Sequence, residues 1–180
     1  MDQTERLLTG LKAGLYDMVF CSYQPGENGL RFTPVVELPF VVAMLKDDPL
    51  AKCPSITPDQ LAGRPMVFTD SPAYSDLLRR MLGEYGIRPE IRGYSNEDSV
   101  LLSMVQAGLG VFISTDHPQM YSPDTVLVPL RQDRYRRYVY MVIRPGLAAS
   151  TAAAQLIHYN QQRAVPEQGR QPRADGGDKQ

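Results

Sequence analysis

Short polar side chains follow four apolar segments of this sequence, and their types and spacing could bind a ligand. They are Ser22, Thr69, Ser95 with Asn96, and Ser114. Hydroxyl and amide groups where strands end can donate hydrogen bonds to a bound carboxylate, and the free N–H groups of helix N-termini there suit anions. The same side chains can instead act only as caps of the helices that follow. The sequence leaves both interpretations open.

Other kinds of site chemistry find little support. Cys21 or a serine could pair with His117 or His158 as nucleophile and base, but the sequence has no Gly-x-Ser-x-Gly elbow. The cysteines and histidines lack metal-ligand spacing. Gly108 and Gly110 lie between a predicted helix and a predicted strand, the reverse of the order in a dinucleotide-binding loop. We therefore expect no enzyme activity, no metal and no cofactor.

The composition indicates an ordinary globular protein. Hydrophobic residues make up 43% of the 180 residues and charged residues 22%. A net charge of -1 gives no general attraction to nucleic acid or to anionic membranes. The N-terminus lacks the apolar core of a secretion signal, and no apolar run approaches the roughly 18 residues of a membrane span. With only two cysteines, a soluble protein of the reducing cytoplasm is expected.

Helical and strand patterns alternate along the chain. Helical periodicity, capping residues and stop glycines predict helices over residues 4–14, 57–61, 72–85, 96–107 and 148–162. Strands are predicted over residues 17–21, 32–45, 65–68, 90–94, 110–113, 126–130 and 138–143, the second of them as one bent strand or two. This alternation predicts an α/β fold with mainly parallel sheets. Residues 164–180 have little to bury and are predicted to be a disordered tail.

The order of several motifs resembles LysR-type transcriptional regulators. Residues 7–20 resemble the family's leucine-rich helix, glycine, aspartate and apolar strand, and residues 41–51 resemble its next strand and turn. Residues 95–110 resemble its most specific block, a helix followed by Val-x-x-Gly-x-Gly and a hydrophobic residue. Asp48 stands where the family usually has His, and Ser114 where it commonly has Pro.

The resemblance implies a type II periplasmic-binding-protein-like architecture, in which two α/β lobes share a cleft. Residues 1–50 with 138–163 would form lobe I, which would be incomplete, and residues 51–137 would form lobe II. An effector, an organic anion or another small metabolite, would bind in the cleft. Positions matching the family add Lys46 to the polar residues named above as ligand contacts.

The family's helix-turn-helix head and the opening strand and helix of its first lobe have no counterpart in this sequence. DNA would therefore be contacted only through that head, and the full-length protein is expected to be a homo-oligomer. The apolar stripe of the helix over residues 72–85 could serve the dimer interface or simply pack in the core. Two alternatives remain, a truncated remnant without activity and a type II solute-binding protein.

Overall fold

The computed structural model describes residues 3–146 and 150–166. In these residues the α-helices are α1 Gln3–Lys12, α2 Pro72–Gly83, α3 Asp98–Gln106 and α4 Thr151–Gln162. The strands are β1 Met18–Cys21, β2 Arg31–Leu38, β3 Phe40–Leu45, β4 Pro65–Thr69, β5 Glu90–Ser95, β6 Phe112–Thr115, β7 Thr125–Pro129 and β8 Arg137–Ile143. Short 3-10 helices cover Pro58–Leu61 and Pro118–Met120.

The elements predicted from the sequence are present, with ends displaced by a few residues. The extended stretch 32–45 is two strands, β2 and β3. The helix predicted at residues 57–61 is a single 3-10 turn, in which the Thr57 N–H donates to Gln60 Oε1 at 2.9 Å. Residues 148–149 of the predicted last helix and 167–180 of the predicted tail lie outside the described residues. Just before them, the Val165 N–H donates to the Pro34 carbonyl of β2.

The chain divides into two compact units. The first unit consists of residues 1–37 and 137–180, as far as they are described, and the second of residues 38–136. The chain therefore passes from one unit to the other twice. The first passage precedes the predicted lobe boundary after residue 50, because β3 hydrogen-bonds to β6 and β7 and so belongs to the second unit.

The first unit is a sheet of order β1-β8-β2 with α1 packed on it. β1 runs antiparallel to β8, which places Cys21 opposite Tyr140. The apolar face of α1 supplies Leu8 and Leu11 to a buried cluster that includes Cys21 and Val142. Burial of a thiol disfavours its charged form, and it raises the pKa of Cys21 to about 11.

The second unit has a mixed sheet. β4 and β5 are parallel, and a parallel bridge between Met66 and Val111 joins β4 to the start of β6. β3 lies between β6 and β7 and is antiparallel to both. The α/β fold class holds, and the sheets contain both directions. The expected parallel pairing is found where α2 and α3 form crossovers, whereas β3 follows β2 with no helix between them and need not run parallel to its neighbours.

The larger of the two buried clusters in the second unit lies on the α2 face of this sheet. Leu77, Leu78, Met81 and Leu82 of α2 are buried against strand residues such as Phe68. Burying each such side chain contributes about 1.5–3 kcal/mol. The apolar stripe of α2 is thus core packing, the second of the two roles considered for it from the sequence.

Gly108 ends α3 in a way that only glycine does readily. Its φ is +77°, its N–H donates to the Val105 carbonyl at 2.9 Å, and the Leu109 N–H donates to the Met104 carbonyl at 3.1 Å. This pair of bonds is a Schellman motif, which satisfies carbonyls at the end of a helix. The chain then turns directly into β6.

Gly110 allows β6 to approach β4 closely. A Cβ atom at this position would lie 2.4 Å from the Pro65 carbonyl oxygen, closer than van der Waals contact allows. Without it, the Val111 N–H donates to the Pro65 carbonyl and the Val67 N–H to the Val111 carbonyl, each at 2.9 Å. The second glycine of the Gly-x-Gly block therefore fixes the position of β6 beside β4.

Candidate functional site

Three hydroxyl side chains lie side by side at the carboxyl ends of three neighbouring strands. Thr69 of β4 pairs in register with Ser95 of β5. β6 meets β4 at an isolated parallel bridge between Met66 and Val111, and Thr69 and Ser114 each lie three residues beyond this bridge on their strands. We call Ser95, Thr69 and Ser114 the hydroxyl row. With strands about 4.8 Å apart the row spans about 10 Å, a length that a small metabolite can cover.

The hydroxyl row faces the side of the sheet that α3 covers. A Cβ atom on Gly93 would touch the Met104 sulfur of α3 and lie 3.9 Å from Val67 Cγ1, so positions 93 and 67 share that face. Phe112 belongs to the same buried cluster as Val67 and several α3 residues. Because side chains two residues apart in a strand share a face, the next positions, 95, 69 and 114, point the same way.

The hydroxyl groups of the row are not simple helix caps. The N-cap residues of α2 and α3 are Ser71 and Glu97, and neither makes a side-chain cap bond. Thr69 Oγ1 accepts from the Ser71 N–H at 3.1 Å, and Ser95 Oγ accepts from the Glu97 N–H at 3.0 Å. Each oxygen thereby orders the turn after its strand and keeps its own proton to donate.

Ser114 differs from the other two members of the row. Its residue surface is only 3% exposed, and among the described residues its side chain has no hydrogen-bond partner. Ser114 Oγ is not one of the described side-chain atoms that are buried without a partner. Its hydroxyl therefore reaches the surface, where it can bond to water or to a ligand.

The other predicted contacts lie elsewhere. Asn96 is exposed directly after β5, next to the row. Ser22 is half-buried in the loop after β1, in the first unit. Lys46 is exposed directly after the last residue of β3. The first residue of β3, Phe40, pairs with Thr115, the neighbour of Ser114 in the row. The six residues of β3 span about 20 Å, so Lys46 lies at the opposite edge of the sheet from the row.

Each segment that follows one of these three strands contains at least one carboxylate residue, and none of them was among the contacts predicted from the sequence. They are Asp70, Glu97, Asp98 and Asp116. His117 Nε2 lies 3.2 Å from Asp98 Oδ2, which links the loop after β6 to the first turn of α3. Tyr121 donates to Asp116 at 2.9 Å, and this bond together with the negative charge raises the pKa of Tyr121.

The residues considered for catalysis have other contacts. His117 contacts Asp98 and Gln119, and His158 contacts Gln162. Cys21 is buried in the first unit. Over residues 3–146 and 150–166, no group of three His, Cys, Asp or Glu side chains could hold a metal ion.

The first unit has a groove beside α1. It has a volume of about 560 Å³ and is lined by Arg6, Leu7, Thr9, Gly10, Ala13, Leu15 and Tyr16. None of the ligand contacts predicted from the sequence lines it, so it is separate from the hydroxyl row.

The fold and the row together define a class of protein, α/β ligand-binding domains whose contacts lie at strand carboxyl ends. The family profile described as "LysR substrate binding domain" matches residues 1–164. The chain therefore belongs to the LysR substrate-binding domain family, which confirms the resemblance read from its motifs.

Curated relatives are regulators of greater length. XapR of Escherichia coli, an HTH-type transcriptional regulator, is 29% identical over 150 residues, which are 79% of this chain and 49% of XapR. TtuA of Agrobacterium vitis, also an HTH-type transcriptional regulator, is 29% identical over 119 residues, 61% of this chain and 37% of TtuA. The chain thus spans about half the length of these relatives or less.

Solved structures of the family share the fold. The effector-binding domain of QuiR in complex with shikimate has a TM-score of 0.77 at 22% identity, covering 91% of this chain and 78% of that one. HinK, a LysR family regulator of Pseudomonas aeruginosa, has a TM-score of 0.80 at 17% identity, covering 91% and 58%. These values confirm the predicted type II periplasmic-binding-protein-like α/β fold. No described helix is long and apolar enough to span a membrane.

Proposed function

We propose that this chain senses a small organic metabolite for a transcription regulator and that the hydroxyl row contacts the metabolite. The observation that carries the proposal is that three strand ends carry the hydroxyls of Ser95, Thr69 and Ser114, and that Ser114 has no hydrogen-bond partner among the described residues. A hydrogen bond between a ligand and Ser114 contributes about 0.5–1.5 kcal/mol.

Family membership supports this role. QuiR was solved with shikimate, and the regulatory domain of Synechocystis CcmR with 2-PG, so related folds hold small organic molecules. The curated relatives of the chain are HTH-type transcriptional regulators.

Regulation would need parts beyond this domain. In the proposal, a longer cytoplasmic protein contacts DNA through a helix-turn-helix head, as the names of the curated relatives suggest, and acts as a homo-oligomer. The metabolite would shift the equilibrium between two conformations only as far as its affinities for them differ.

The proposal is tested by ligand binding to single-hydroxyl variants. A panel of small metabolites, neutral, cationic and anionic, is screened by thermal shift, and any ligand found is titrated by NMR. At 100 times its Kd a ligand adds about 2.7 kcal/mol of stability, which for a protein of this size raises the Tm by about 5–10 °C. Ser114→Ala should weaken binding about tenfold, the loss of one hydrogen bond.

Ser103→Ala is the matched control. Ser103 is exposed on α3 and donates only to the Ser99 carbonyl, so its removal should leave the Kd unchanged. If Ser114→Ala and Thr69→Val both bind the ligand as tightly as the unmodified chain does, the row is not the site and the proposal is wrong.

A further inference from the structure

We infer that the ligand of the hydroxyl row is an uncharged polyhydroxyl compound rather than a carboxylate or phosphate. This inference rests on the proposed function and names the ligand class of the same site. It departs from the expectation of an organic anion, which was drawn from helix N-termini and from the family resemblance.

The first argument is the charge of the strand ends. Residues 69–71, 95–98 and 114–117 contain Asp70, Glu97, Asp98 and Asp116 and no lysine or arginine. Arg131 follows β7, two strands beyond β6, and is therefore about 10 Å from the nearest member of the row. Lys46 lies at the other edge. An anion at the row would face four negative charges, of which Arg131 at a comparable distance offsets about one.

The second argument is the state of the α3 N-terminus. A helix N-terminus attracts negative charge through its dipole. Here Glu97 is the N-cap residue and Asp98 lies in the first turn, so the chain's own carboxylates already occupy that end of the helix. A ligand carboxylate would have to compete with them.

The third argument is the pattern of donors and acceptors. Thr69 and Ser95 use their oxygens to accept backbone bonds and keep an O–H to donate, and Ser114 has its full hydroxyl available. The ionised carboxylate side chains in the neighbouring segments can only accept hydrogen bonds. A ligand that contacts both the hydroxyl donors and these carboxylate acceptors needs groups that accept and donate, and a ligand hydroxyl does both. A carboxylate or phosphate group on the ligand would only accept.

Ser114 shows that the acidic cluster is more than a solvated edge. It is nine-tenths buried without a hydrogen-bond partner among the described residues, and it faces the same side as Thr69 and Ser95. Its contact with a ligand is independent of the carboxylates. The carboxylates decide which ligand charge is accepted there.

Shikimate and methyl shikimate test the inference, because the ester keeps the ring hydroxyls and loses the negative charge. Binding of each to the full chain is followed by NMR at the backbone amides of Thr69, Ser95 and Ser114. At separations of roughly 10 Å each carboxylate weakens anion binding about twofold in a water-like dielectric. The ester should therefore bind about tenfold more tightly than the acid.

Carboxylate-to-amide variants separate charge from shape. Asp70 and Glu97 are exposed, so the double variant Asp70→Asn with Glu97→Gln should fold and should reduce the preference for the ester about fourfold. Glu90→Gln is the matched control, because Glu90 begins β5 at the opposite edge and pairs with Arg92. It should leave the preference unchanged.

Three results would overturn the inference. The first is that shikimate binds as tightly as its methyl ester. The second is that the double variant prefers the ester as strongly as the unmodified chain does. The third is that neither compound shifts the amide signals of Thr69, Ser95 and Ser114. In the last case the metabolite panel separates the two claims. An anion from the panel that binds at the row leaves the proposed function standing, whereas no ligand at the row removes both.

Discussion

Gly110→Ala should destabilise the second unit by about 3 kcal/mol or more. The new Cβ would lie 2.4 Å from the Pro65 carbonyl oxygen and 2.8 Å from the Met66 nitrogen, both backbone atoms that cannot rotate away. Relief requires β6 to move from β4, which breaks the two 2.9 Å bonds made by Val111. Each bond contributes about 1 kcal/mol, and crowding of a packed site adds about 1–3 kcal/mol.

Two other glycines make the comparison quantitative. Gly93→Ala places a Cβ 2.8 Å from the sulfur of Met104, a flexible side chain that can move, so a loss of about 1 kcal/mol is expected. Gly83→Ala lies in α2 with no heavy atom within 4 Å of the new Cβ, and alanine should stabilise the helix by about 0.5–1 kcal/mol.

The assay is urea unfolding followed by circular dichroism, with the NMR spectrum of each folded variant as a check on structure. For a protein of this size a loss of 3 kcal/mol corresponds to a fall in Tm of about 10 °C. Gly110→Ala should also perturb the amide signals of Thr69 and Ser114, since Gly110 positions their strands. A Gly110→Ala variant as stable as Gly93→Ala would refute the close-approach argument.

Two further measurements concern buried groups. Thr125 is buried, and Oγ1 has no hydrogen-bond partner in the described part of the chain, so Thr125→Val should raise the free energy of unfolding by about 1 kcal/mol; unchanged or lower stability contradicts this. At pH 8 a thiol reagent should modify half-buried Cys53 first and Cys21 only upon unfolding. Rapid modification of Cys21 in the folded chain would contradict its burial. Because folding raises the pKa of Cys21 from about 9 to about 11, the free energy of unfolding should be independent of this group below pH 9 and fall between pH 9 and 11.

Local rules sufficed for most of the fold. Stop glycines such as Gly86 and Gly108 take positive φ where helices were predicted to end. Leu8 and Leu11 of α1 and the apolar stripe of α2 are buried as their spacing predicts, whereas Leu15 is exposed. The direction of β3 was not predictable in this way. Strand direction depends on long-range pairing, and an apolar run such as residues 40–45 is compatible with either direction.

The candidate site was predicted in part. Strand-end hydroxyls identified Thr69, Ser95 and Ser114, and parallel β4, β5 and β6 bring these three together. Lys46, which was added from the family resemblance, lies at the opposite end of the sheet from the row because β3 is antiparallel to β6, and its ligand contact stays a prediction. Which strand ends meet at one edge of a sheet depends on the order and direction of the strands. These are set by hydrogen-bonded pairing between distant segments, which local sequence patterns do not show.

The ligand class illustrates the same point in electrostatics. A bare helix N-terminus favours an anion, but the charge that a ligand meets is the sum over all side chains at that edge. Asp70, Glu97, Asp98 and Asp116 were individually visible in the sequence, yet their common location emerges only when β4, β5 and β6 are aligned. Glu97 and Asp98 at the start of α3 lower its attraction for an anion, and neutral hydroxyl groups are therefore the partners that we infer for Ser114.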